Sequence, residues 1–147
     1  TQALYNHWLE VNESAFSKSA DNIDGWQAIV FGTDSQGVTE EKLKALGVKT
    51  CFIAGDIDKS TLEENIARLD DRIPTLLLNG GDSLQEVAIG HLCDALQESD
   101  LVYCDTDELN INGAKSSPRF LPDWNPELQV TCEKFCYDVY LRKQDLI

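Results

Sequence analysis

Between Trp26 and Cys104 the chain alternates short apolar runs with stretches of helical periodicity, and that alternation limits the fold more than any other feature. Strands are expected at 26–31 (WQAIVF), 48–54 (VKTCFIA), 73–78 (IPTLLL) and 101–104, several of them closed by glycine. A helix is expected at 39–46, with Thr39 as N-cap, acids in its first turn and Gly47 as its stop. Another covers 60–69, capped by Asp58 or Ser60, with Glu63 as capping-box partner and Leu62, Ile66 and Leu69 on one face. A third starts at Asp82 or Ser83, runs to about Glu98 and contains His91, expected to be satisfied and partly buried. Strand–helix–strand repeats imply βαβ units, hence an α/β fold with a mostly parallel sheet flanked by helices in three layers. The continuous apolar run at 73–78 implies a strand buried on both faces.

The ends are less regular. Residues 1–16 have helical spacing, with Leu4, Trp8 and Val11 forming a stripe that Leu9 widens. Residues 17–25 are polar and loop-like, so the chain divides into an N-terminal helix and leader at 1–25 and an α/β domain at 26–147. Near the C-terminus, 139–141 fits either a last strand or part of a helix. The chain begins without methionine, as a processed protein or a piece of a longer one would.

A formal net charge of −14 argues against nucleic acid and anionic membranes as partners, because phosphate surfaces are met by clustered Lys and Arg. It suits solubility, or a divalent cation on the acidic side. No apolar run reaches the roughly 20 residues of a membrane span, and no signal peptide is evident. The odd set Cys51, Cys93, Cys104, Cys132 and Cys136 reads as reduced, buried thiols in a cytoplasmic protein.

In a parallel sheet the loops after the strands gather at one rim. Here these are 32–35, 55–58, 79–82 and 105–108, and each contains aspartate. Asp105 and Asp107 follow the apolar run 101–103. Pro118, Pro122 and Pro126 then mark an extended path that is neither helix nor ordinary strand, with Trp124 inside it, where it covers its own sheet edge or anchors a neighbour. No nucleophile elbow, phosphate-cradling loop or dinucleotide fingerprint is present. A receiver-like or flavodoxin-like domain would need an early acidic pair and a late lysine, which are missing.

Residues 76–128 carry a more specific signal. Tyr103-Cys104-Asp105-Thr106-Asp107, then Gly113, then Phe120-Leu121-Pro122-Asp123-Trp124-Asn125-Pro126 resembles family-two glycosyltransferases of the A-type nucleotide-sugar fold, of the surface-polysaccharide and O-antigen type. The resemblance implies a partial nucleotide-diphospho-sugar transferase-like fold and a parent reaction that moves sugar from a nucleotide-sugar to a hydroxyl of a glycan acceptor. Donor- and acceptor-site candidates are then Asp34, Asn79, Asp82, Asp105 and Asp107.

The departures from the family are equally specific. Its metal-binding Asp-x-Asp aligns with Asn79-Gly80-Gly81, and Asp82 is the only acid left there. Intact members use Mn²⁺ or Mg²⁺ to neutralise the diphosphate; this chain is expected to have no cofactor. The acceptor-binding half of the family would lie beyond Ile147. The expectation is a truncated or degenerate glycosyltransferase domain, inactive in isolation, or a non-catalytic interaction domain that docks a neighbouring domain of a longer chain.

Overall fold

The computed structural model describes residues 1–12, 25–53, 58–127 and 139–141. The leader loop at 17–24, the acidic residues at 55–57, and Cys132 and Cys136 lie outside these residues. The chain divides into two compact units, one formed by 19–103 with 137–147 and the other by 1–18 with 104–136.

The larger unit is a mixed α/β structure. Its elements are β1 (Gln27–Phe31), α2 (Val38–Ala45), β2 (Lys49–Ile53), α3 (Lys59–Ile66), β3 (Thr75–Asn79), α4 (Glu86–Ala95), β4 (Leu101–Tyr103) and β7 (Val139–Leu141). The sheet order is β2-β1-β3-β7-β4. β1 pairs in parallel with β2 and with β3, Ile29 lying opposite Cys51 and Leu77. β7 pairs antiparallel with both β3 and β4, so 139–141 is a strand and the sheet is parallel only in part.

The middle strand dictates the core. Gln27, Ala28, Ile29 and Val30 are all buried, so β1 is covered on both faces and its sequence need not alternate. On one face Ile29 packs with Ile66 and Leu69 from α3 and its end, joined by Phe31, Leu62 and Leu77. Leu43 of α2 and Ile89, Leu92 and Leu96 of α4 are also buried. Gln27 is the polar exception, and its amide is satisfied. Nε2 donates to the Asp70 carbonyl (2.7 Å) and to Thr75 Oγ1 (3.0 Å), while Oε1 accepts from Asp70 N–H (3.0 Å). That side chain fixes the turn leading into β3.

Helix starts depart from the expected caps. Asp58 does cap α3, accepting from Thr61 N–H at 2.7 Å, while Ser60 donates to Asp58 and does not form a box of its own. Thr39 is not the cap of α2: it sits in the first turn, and the N-cap is Gly37, with no side-chain bond. α4 starts at Glu86 after Gln85, so neither Asp82 nor Ser83 caps it.

The smaller unit holds α1 (Gln2–Asn12) and the antiparallel hairpin β5 (Thr106–Leu109) and β6 (Lys115–Arg119). The hairpin turn is built by Asn110, whose Oδ1 accepts from Asn112 N–H and Ala114 N–H. Residues 106–108 are therefore in a strand, and only Asp105 precedes it. Pro118 lies within a strand, against expectation, because β6 holds one residue more than β5 between the pairs Thr106–Arg119 and Glu108–Ser116. Ser117 takes a left-handed φ of 51° inside this bulge, which is where a ladder tolerates proline. α1 also turns differently from its periodicity: Tyr5 is buried, whereas Leu4, Trp8 and Val11 are exposed.

Candidate functional site

With β2 and β3 on either side of β1, the order of connection reverses between β1 and β3, and open α/β sheets bind ligands at the carboxyl ends of strands at such a point. Residues 32–37 leave β1 there and residues 79–85 leave β3, which brings Asp34, Asn79 and Asp82 to one rim.

The two loops touch through their backbones. Gly80 N–H donates to the Phe31 carbonyl at 2.8 Å. A Cβ on Gly80 would stand 2.6 Å from the Thr33 carbonyl carbon and 2.7 Å from Asp34 N, so only glycine fits. Gly81 adopts φ 99°, where a side-chain-bearing residue is strained.

Each candidate acid on this rim is engaged by backbone. Asp34 accepts Val38 N–H through Oδ1 and Glu40 N–H through Oδ2, both at 3.0 Å. It therefore satisfies the orphan donors at the start of α2 from four residues upstream. Asp82 accepts Asn79 N–H at 2.8 Å and meets the Asn79 amide at 3.4 Å. Thr39, fully buried, closes the arrangement. Its Oγ1 accepts from Gly81 N–H and donates to the Asp82 carbonyl, both at 2.8 Å. This link was missed in the sequence, where a threonine at a helix start resembles an ordinary cap.

The donor set does not fit a divalent cation. Of residues 79–82, two have no side chain, one is an amide, and the remaining carboxylate holds a backbone N–H. Among the described residues no cluster of three His, Cys, Asp or Glu side chains could hold a metal ion.

Asp105 and Asp107 belong to the other unit. Asp105 Oδ1 accepts Leu121 N–H at 2.7 Å, tying the start of the hairpin to the chain that leaves it. Asp107 Oδ2 accepts a short hydrogen bond, 2.5 Å, from the Tyr5 hydroxyl. Tyr5 stacks on Trp8, and Phe120 meets both rings edge-on, at centroid separations of 6.4 and 5.5 Å. Gln2 adds a bond from its amide to the Lys115 carbonyl. Tyr5 and Phe120 thus complete this cluster, although the helical stripe read from the sequence left Tyr5 out.

No known protein family, curated protein or solved structure matches this chain. The site therefore rests on its own chemistry. At the rim of the larger unit Asp34 and Asp82 accept from the protein's own backbone N–H groups. His91 is exposed on α4, not partly buried. Cys93 and Cys104 are half-buried, and burial pushes the Cys93 thiol up, with Asp94 adding to the effect, away from the thiolate that a nucleophile needs. No helix among the described residues is long and apolar enough to cross a membrane.

Proposed function

We propose that the chain is a glycosyltransferase-like domain of the nucleotide-sugar type that does not itself transfer sugar. The resemblance across residues 76–128 supports the family, and the mixed α/β sheet is compatible with a partial three-layer fold of that kind. One observation carries the loss of chemistry: the loop at 79–82, where the metal acids would stand, is closed by its own hydrogen bonds and by backbone contact with 33–34. A diphosphate brought to this rim would meet Asp34 and Asp82 with no cation between them, and like charges repel.

Calorimetry with UDP in the presence of Mn²⁺ tests the reading. The expected result is no binding heat, and no hydrolysis or transfer from UDP-sugars. Micromolar, metal-dependent UDP binding would overturn it.

A second reading, a non-catalytic interaction domain, is favoured by the Pro-Trp segment. Trp124 is 52% exposed and Phe120 55%, more than a residue sealing its own sheet edge would be. Trp124→Ala is expected to leave the domain folded at a cost of no more than about 2 kcal/mol, since half of the side chain already stands in water. A loss of several kcal/mol would assign Trp124 to the fold and remove this support.

A further inference from the structure

Exposed apolar surface is distributed unevenly. Every large hydrophobic side chain that is exposed among the described residues lies in the smaller unit: Leu4, Trp8, Val11, Leu109, Ile111, Phe120 and Trp124. The same unit buries Tyr5 and no other large hydrophobic among those residues. Leu4, Trp8 and Val11 are spaced i, i+4, i+7, so they form one stripe along α1, exposed by 70%, 40% and 57%. Phe120, edge-on to Trp8, continues that stripe onto the chain after β6.

We infer that this stripe is the docking surface for a cationic amphipathic helix of a partner protein. The inference rests on the interaction reading of the domain. The stripe is a helix ridge about 10 Å long at 1.5 Å per residue, and a ridge of this kind is matched by the groove of a second helix with its own apolar face. Charge decides what surrounds that face. The described part of this unit carries Glu10, Asp105, Asp107, Glu108, Asp123 and Glu127 against Lys115 and Arg119, and the whole chain carries −14. A second copy would bring the same excess of negative charge and be repelled. Lys and Arg flanking a partner's apolar stripe would be drawn in and oriented.

The test is selection of binders to the full chain from a displayed library of helical peptides, with a fixed apolar stripe and flanking positions randomised among Lys, Glu and Ser. Flanks rich in Lys are expected. Affinity should fall about tenfold or more for the chain carrying Leu4→Ser and Val11→Ser, with its far-UV circular dichroism unchanged. Selected flanks that are neutral or acidic, yet still sensitive to these substitutions, would overturn the cationic partner and leave the interaction reading standing. Binders indifferent to them, or no binders of any charge, would overturn the surface itself. A dimer in sedimentation equilibrium that dissociates on the double substitution would assign the stripe to a second copy. UDP calorimetry reads the glycosyltransferase-like proposal separately, so the failure of one does not conceal that of the other.

Discussion

Gly80→Ala is the sharpest perturbation of the rim, because its cost can be worked from the geometry. The added methyl would lie 2.6 Å from the Thr33 carbonyl carbon and 2.7 Å from both the Thr33 oxygen and Asp34 N. Carbon contacts settle near 3.5–4 Å, so the loops must separate by about 0.8 Å or more. The atoms in the way are backbone, and they are held: Asp34 is committed to Val38 and Glu40 N–H, and Gly80 N–H to the Phe31 carbonyl at 2.8 Å. Separation of that size takes the last bond past its useful range, a loss of about 1 kcal/mol. Overpacking adds about 1–3 kcal/mol, and the smaller entropy of the unfolded alanine chain returns about 0.4–1 kcal/mol. The net expectation is destabilisation by about 1–3 kcal/mol. At about 2–4 °C per kcal/mol for a chain of this size, Tm falls by about 2–12 °C.

Thermal and urea unfolding of the full chain, followed by circular dichroism, measures this. Gly81→Ala is the matched control. Nothing lies within 4 Å of a Cβ there, but φ is 99°, so its cost is conformational and should be about 1–2 kcal/mol. A Gly80→Ala chain as stable as the parent would refute the backbone contact between the loops. The closed rim, and with it the main support for lost transfer chemistry, would fall too.

Thr39→Val keeps the shape of a buried side chain and removes both hydrogen bonds to residues 81–82; a loss of about 2–3 kcal/mol is expected, with faster amide exchange at Gly81, and unchanged stability would mean that the hydroxyl does not hold the loop. Asp58 gives a pH dependence: the Thr61 backbone N–H, followed by side-chain bonds from Thr61 and Ser60, holds its carboxyl below the ordinary aspartate range. A folded value below the unfolded one means that its contribution is present above about pH 3.9 and is lost as pH falls through the depressed value. A carbon-13 titration should place the Asp58 midpoint below that of the unfolded chain, and a midpoint at or above about 3.9 would contradict the cap.

What the sequence disclosed and what it hid follow from the range of the forces involved. β1 and β3 were legible because strands covered on both faces carry a nearly continuous apolar run, Ala28 to Phe31 and Leu76 to Leu78, a property of a few consecutive residues. The cap of α3 was legible for the same reason, since Asp58 reaches only as far as Thr61. The start of α2 was not. Asp34 reaches over a turn to Val38 and Glu40, which leaves Thr39 free to bond a loop more than forty residues away. The face of α1 was hidden more completely. Its periodicity nominates Leu4, Trp8 and Val11, but Tyr5 is buried because Asp107 and Phe120, a hundred residues on, supply the partner for its hydroxyl and the packing for its ring. In the same way Pro118 looked incompatible with a strand until the bulge at Ser117 absorbed it.

The acids of the candidate site follow the same rule. Asp34, Asp82, Asp105 and Asp107 look alike in sequence, as carboxylates beside strand ends, and nothing local separates a metal ligand from a structural acceptor. The distinction lies in which donors come within about 3 Å. For all four those donors belong to the protein: backbone N–H groups for Asp34, Asp82 and Asp105, and a tyrosine hydroxyl for Asp107. Each of these bonds is formed on folding and ties its acid to a neighbouring segment of the chain. Recruiting such a group to a cation or a sugar would have to use the lone pairs that these bonds leave, without moving the helix start, strand end or hairpin that each bond positions. Each of these four acids thus has a structural use of its own, at a helix start for Asp34, a strand end for Asp82, and the hairpin for Asp105 and Asp107.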